Sequence, residues 1–156
     1  MGIYSPDPAT ARVLEIACGD GGNLLPMAAV TPRGRFVGID LASGAVATAR
    51  AMAAELGLAN VTLIDGDLRD LPADVGQFDY IVAHGFYSWV PADVRAVLFD
   101  TIRARLAPTG IAFVSHNVMP GCALRGLTWS LLRPHVEAID DPAKKLAEIR
   151  AMAGRM

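Results

Sequence analysis

The sequence predicts an α/β fold: a doubly wound, Rossmann-like, mostly parallel sheet of about five strands with helices on both faces. Three observations predict it. Five short apolar runs alternate with helical segments along the 156 residues. The runs are continuously apolar rather than alternating, as strands buried on both faces are. The first run breaks into a glycine-rich turn and then a helix, the opening of a nucleotide-binding βαβ unit.

Residues 1–11 read as a turn-rich surface segment, with two prolines and no apolar core of the kind a signal peptide needs. The first strand, 12–17, runs into Gly19-Asp20-Gly21-Gly22. A helix over 23–30 follows, and its first turn tolerates Pro26, because the N–H that proline lacks would have had no partner there. Thr31-Pro32-Arg33-Gly34 turns the chain into a second strand, 35–39, ending at Asp40. The clearest helix spans 43–56, with Ser43 as N-cap, an alanine-rich body and Gly57 as its stop. A third strand, 61–64, leads into Asp65-Gly66-Asp67-Leu68, and a fourth, 77–83, ends at His84-Gly85. The helix over 91–106 spaces Val94, Val97, Leu98, Ile102 and Leu106 for one buried face. Leu106-Ala107-Pro108-Thr109-Gly110 is a turn into strand five, 111–115. Two further helices, 124–135 and 142–152, follow, the second capped by Asp140 or Asp141. The expected organisation is a single domain over 1–156, with a sheet core at 11–118 and a helical extension at 119–156.

Composition excludes several classes. A hydrophobic share of 53% is enough to fill a core, so the chain is not disordered. A formal charge of -2 supplies no basic field for nucleic acid. The uncharged run that precedes Arg125 is interrupted by Pro108, Gly110, Pro120 and Gly121, so it is strand and loop and not a membrane span. Cys18 and Cys122 form neither a C-x-x-C pair nor a zinc pattern, which fits two reduced thiols in the cytoplasm. His116 has no second ligand at metal spacing, and no metal is expected.

Right-handed crossovers bring the glycine turn, Asp40, Asp67, His84 and His116 to one edge of the sheet. At that edge glycines let backbone approach a ligand, and the helix start offers free N–H groups. An acid about 20 residues past the turn is where a nucleotide ribose is held. A dinucleotide fingerprint would need a third glycine where Leu24 stands, which disfavours a nicotinamide-dependent oxidoreductase. Each residue has a plainer rival role. Asp40 could cap a turn, Asp67 could be a loop acid, and Glu15 could bind backbone N–H groups of the turn. Trp89 and Tyr87 could be packing residues or the wall of an acceptor channel, where an aromatic face favours a cation. His84, at the end of strand four, could contact a cofactor, take a proton from an acceptor, or be structural.

Val13-Leu14-Glu15-Ile16-Ala17-Cys18-Gly19-Asp20-Gly21-Gly22-Asn23 resembles motif I of the class I S-adenosylmethionine-dependent methyltransferases, E/D-x-G-x-G-x-G. Glu15, Gly19 and Gly21 match, and Ala17 stands where the first glycine would. The resemblance extends to Asp40 as the acid that holds the ribose, with Leu41 beside the adenine. It extends also to Asp67-Leu68 as the strand-three motif, to Phe78-Asp79-Tyr80-Ile81-Val82, and to the turn at 106–110. A narrower likeness runs through Gly21 to Ala28 in the sequence, through Phe36 to Leu41, and through Ala83 to Pro91. It is to the methyltransferases that carry a regulatory domain, relatives of bacterial protein-lysine methyltransferases. The resemblance implies S-adenosylmethionine as cofactor, held by Glu15, Ala17, Gly19, Gly21, Asn23, Asp40, Leu41, Asp67, Leu68 and His84. It implies an acceptor that is a protein or a small molecule, and it names no catalytic residue. Strands six and seven of that family are missing, so the chain reads as the cofactor-binding part of a longer protein. An uncovered fifth strand would then favour self-association. The alternative reading is a catalytically silent cofactor-binding or interaction module.

Overall fold

Five strands, β1 (Arg12–Ile16), β2 (Arg35–Asp40), β3 (Val61–Asp65), β4 (Phe78–Ala83) and β5 (Leu106–Val114), form one sheet ordered β3-β2-β1-β4-β5. Every neighbouring pair is parallel. The computed structural model describes residues 5–154, so part of the predicted surface segment, residues 1–4, lies outside the described residues. The strand order reverses between β1 and β4. In a doubly wound sheet, that reversal opens a crevice at the carboxyl ends of the strands.

Alternation along β1 explains the two layers. Val13 points to one face, where it packs with Phe36 and with Leu24 and Ala28 of helix α1 (Leu24–Val30). Leu14 and Ile16 point to the other face, with Ile39, Ile81 and Leu98 of helix α3 (Ala92–Arg105). Leu14, Ile16, Leu24, Ile81 and Leu98 are fully buried. Each such side chain contributes about 1.5–3 kcal/mol relative to exposure. Helix α2 (Ser43–Glu55) buries Val46, Ala49 and Ala53 and lies along β2 and β3. Its end is closed by Leu58 N–H donating to Ala53 O (2.9 Å) and Gly57 N–H donating to Ala54 O (3.1 Å). This paired arrangement satisfies carbonyls the helix would leave open, with Gly57 at the expected stop.

β2 and the glycine turn meet closely because Gly38 has no side chain. A Cβ there would lie 2.7 Å from Cys18 Sγ and 2.8 Å from Leu24 Cδ2, both buried. The approach is thus written into one residue on each side.

Two local expectations are corrected. Ser43 is the first residue of α2, and its N-cap is Ala42. The Ser43 hydroxyl donates to Asp65 Oδ1 (3.0 Å) instead of accepting from the helix backbone. Residues 106–110 are not a free turn. Leu106 already pairs with Phe78, and the register then jumps so that Tyr80 pairs with Ile111. The extra residues form a bulge, a place where Pro108, lacking an N–H, is tolerated in a strand. β5 ends the sheet, and Phe113 on it is 52% exposed.

The chain divides into two compact units after His116. In the second, helix α4 (Ala123–Val136) contacts helix α5 (Pro142–Ala153). Asp141 caps α5, accepting from Ala143 N–H (2.8 Å) and Lys144 N–H (3.3 Å), with Pro142 at the first helical position.

Gly38→Ala is expected to lower stability to chemical denaturation by about 1–3 kcal/mol, the usual cost of overpacking a close contact. Gly44→Ala in α2, where an added Cβ meets nothing within 4 Å, should show no loss. Equal stability of the two variants would refute the close-approach account.

Candidate functional site

β1 ends at Ile16, and the next residues leave the sheet through left-handed backbone conformations. Ala17 has φ 59, Gly19 φ 56 and Gly21 φ 81. Among the described residues, Ala17 is the one non-glycine with positive φ. That conformation costs an L-residue about 1–2 kcal/mol, which is why a glycine suits this place. Tertiary hydrogen bonds hold it: Ala17 N–H (2.9 Å) and Cys18 N–H (3.2 Å) both donate to Ile39 O. Gly21 N–H then donates to Cys18 O (2.9 Å), and Leu25 N–H to Gly21 O (2.9 Å), leading into α1.

Asp40 joins this turn to β2. Its Oδ2 accepts from Gly19 N–H (2.8 Å) and its Oδ1 from Ala42 N–H (2.8 Å). The turn role considered from sequence is therefore real. Each carboxylate oxygen retains a second acceptor position beyond these bonds.

A cleft of about 240 Å³ lies at these strand ends. Ala17, Asp40, Leu41, Asp67 and Leu68, all expected from the sequence, line it. Leu41 is 72% exposed, at the rim of a crevice lined mostly by apolar side chains. Asp67 caps the short 3-10 turn Leu68–Asp70, its Oδ1 accepting from Arg69 N–H (2.9 Å). The Arg69 guanidinium lies between Asp67 (3.4 Å) and Asp93 (3.7 Å), and such exposed pairs contribute little to stability.

Other expected residues support the cleft or stand away from it. Glu15 lies behind the turn and is 4% exposed. Its Oε1 accepts from the Asn23 side-chain amide (2.8 Å), a side-chain donor in place of the backbone N–H groups of the turn considered from sequence. Its Oε2 is buried and, among the described residues, has no hydrogen-bond partner. Burial raises the Glu15 pKa, while the Asn23 hydrogen bond and the nearby His84 work the other way. Burial, with the charges of Asp40 and Glu15, pushes the Cys18 thiol up to about 11, which keeps it protonated.

His84 is exposed and stacks on Phe113, ring centroids 6.1 Å apart. Tyr87 is half-buried, edge-on to Phe99 (5.8 Å) and His116 (5.9 Å), with the Arg95 guanidinium 5.1 Å over its ring. Trp89 is 68% exposed. None of the three lines the cleft. The residues of that loop which do are Phe86, Val90 and Pro91, together with Val94. Sequence reasoning missed them because a 3-10 turn at Tyr87–Trp89 rotates successive side chains by about a third of a turn. Tyr87 and Trp89 were expected at an acceptor channel and not in this cleft.

A family model described as a methyltransferase domain matches residues 13–110. The chain belongs to this family. The methyltransferase domain is 34% identical to PKMT2 from Rickettsia typhi, solved in complex with AdoHcy, with a TM-score of 0.85. That match covers 97% of this chain and 29% of the other. An uncharacterized protein of Rickettsia prowazekii, RP789, is 32% identical over 152 residues, 97% of this chain and 28% of its own length. Nocamycin O-methyltransferase of Saccharothrix syringae is 42% identical over 142 residues, 90% of this chain and 49% of that protein. The chain thus spans less than half the length of each of these relatives. The sheet with its flanking helices is the class I methyltransferase fold.

The buried Glu15 makes a pH prediction. Because burial holds its folded pKa above the ordinary 4.5, the fold favours the protonated carboxyl. That contribution is complete below the unfolded pKa and is lost as pH rises through the folded one. The melting temperature of the unliganded chain should therefore fall more on going from mildly acid to neutral pH than that of Glu15→Gln. Parallel pH profiles for the two proteins would count against it.

Proposed function

We propose that this domain binds S-adenosylmethionine in the cleft at the carboxyl ends of β1 and β2 and transfers its methyl group to an acceptor amine of a protein. When bound, the cofactor supplies a methyl group on a positively charged sulfur. The acceptor's lone pair forms the new bond to carbon while the carbon–sulfur pair leaves with sulfur, and the amine proton passes to solvent. Positioning is the main thing a protein adds to such a displacement.

The carrying observation is Asp40, held at the cleft by Gly19 N–H and Ala42 N–H, with open acceptor positions for the ribose hydroxyls. Leu41 then covers the adenine and Asp67 meets its amino group. A volume of about 240 Å³ suits the nucleoside alone, since whole small-molecule sites run to about 300–1,000 Å³. The methionine end would extend along the turn toward Glu15. The free Oε2 of Glu15 fits a cationic amine there, because a buried acceptor without a partner is costly and an ammonium would satisfy it. The protein-amine acceptor rests on the 34% identity to PKMT2. His84, Tyr87 and Trp89 would lie on the acceptor side, and we assign none of them a catalytic role. No helix among the described residues is long and apolar enough to cross a membrane. With both cysteines free, a cytoplasmic setting is part of this reading.

Calorimetric titration tests the cofactor. S-adenosylmethionine and its demethylated product should bind and NAD should not. Asp40→Ala should weaken binding about 10–100-fold, the loss of one or two hydrogen bonds to a charged group. Asp40→Asn, which can still accept from one backbone N–H, controls for misfolding. Unchanged affinity in both variants would remove Asp40 from the site. Label transfer to a lysine-rich protein, absent after its amines are blocked, tests the acceptor. Cofactor binding with no transfer would support the silent module instead.

The same reading includes self-association through β5, whose outer edge, among the described residues, has no neighbouring strand and whose Phe113 is exposed. Sedimentation should show concentration-dependent dimers that Phe113→Lys reduces. A monomer at all concentrations would sink this part alone.

A further inference from the structure

A second cavity, larger than the strand-end cleft, lies at the opposite end of the sheet, where a doubly wound fold does not place its cofactor. Its volume is about 760 Å³. Arg12, Arg33 and Arg35 line it. Arg12 and Arg35 are register partners at the first residues of β1 and β2. Parallel partners project to the same face from strands about 4.8 Å apart, so two guanidinium groups start side by side. Like charges directly opposed are destabilising unless something compensates them.

The protein itself compensates little. Arg12 donates to Val75 O (2.7 Å) and lies 5.6 Å from the Phe78 ring centroid, which fixes its guanidinium without neutralising it. Gly76 allows that placement, since a Cβ there would be 2.8 Å from Arg12 Nη2. Among the described residues, the side chains of Arg33 and Arg35 make no ion pair and no hydrogen bond. The carboxylates nearby are Asp74, which lines the cavity, and Asp79, whose Oδ2 accepts from Arg12 N–H (2.8 Å). Three guanidinium groups stand against these two carboxylates, which leaves a net positive charge here in a chain whose formal charge is -2.

The backbone under the arginines is braced. Asn60 Nδ2 donates to Ala28 O (3.1 Å), Thr31 O (3.1 Å) and Gly34 O (3.2 Å), tying the turn that carries Arg33 to the start of β3. Gly34 N–H donates to Thr31 O and Arg35 N–H to Ala11 O, each at 2.9 Å. A rigid turn and a register pair thus present three forked donors to one concavity.

We propose that this cavity is an anion site for a phosphate-bearing small molecule, distinct from the cofactor cleft. Guanidinium forks match phosphate oxygens in pairs, and the spacing of two neighbouring strands suits a diphosphate bridging Arg12 and Arg35. Arg33 closes the site from the turn. The remaining volume accommodates an organic group of nucleotide size.

The test is calorimetric titration of the full chain with inorganic pyrophosphate and, separately, with a tetra-aspartate peptide. Arg33→Gln and Arg35→Gln are the informative variants, because both side chains are exposed and, among the described residues, make no hydrogen bond or ion pair, whereas Arg12 is tied to Val75. The expected result is saturable pyrophosphate binding, weakened at least about fivefold by either substitution. Asp40→Ala should retain it, which separates this site from the cofactor cleft. No saturable binding, binding untouched by both arginine substitutions, or binding lost in a folded Asp40→Ala would overturn the proposal. So would tighter binding of the tetra-aspartate peptide than of pyrophosphate.

Discussion

Asp40 is the link on which the site depends. It stands at the end of β2, yet its carboxylate holds Gly19 of the turn after β1 and Ala42 before α2. Two neighbouring strands and two helix starts are thereby tied at one point. The link requires the turn to lie close against β2. That closeness exists because Gly38 leaves room for Cys18 and Leu24. It also requires Ala17 to accept a left-handed conformation, which hydrogen bonds to Ile39 O maintain.

The site holds energetic costs that the rest of the fold offsets. Glu15 is a buried carboxyl group, with one oxygen satisfied by Asn23 and the other, among the described residues, unpaired. Ala17 adds a conformational cost beside it. Such features persist only where surrounding packing over-determines them, and they cluster where ligands bind. Here the surrounding packing is the buried set around Leu14, Ile16, Ile81 and Leu98 on one face and around Val13, Leu24 and Phe36 on the other.

Much of this was legible in the sequence. The five strands, their parallel character and the helices between them follow from apolar runs that do not alternate. Asp40 and Asp67 were placed at the sheet edge by topology and spacing, Ala17, Leu41 and Leu68 by the family resemblance, and the cleft is lined by all five. What spacing could not supply was the direction of side chains in irregular backbone. Trp89 and Tyr87 drew attention by type, while Phe86, Val90 and Pro91 of the same loop line the cleft. Ser43 looked like a cap because of its hydroxyl, but that hydroxyl found Asp65 across the turn. The 106–110 segment contains Pro and Gly, yet Leu106 pairs with Phe78 before the bulge.

By itself, the sequence determined the class of fold and the edge at which chemistry gathers, because strand periodicity and glycine spacing are local properties. Only the tertiary structure decided which carboxylate oxygens are satisfied and which is not. It also decided that Arg12 and Arg35, 23 residues apart in the numbering, begin adjacent strands as register partners. Those outcomes depend on contacts between segments distant along the chain. Register and the close approach of backbones set them, and neither is written in any single stretch of residues.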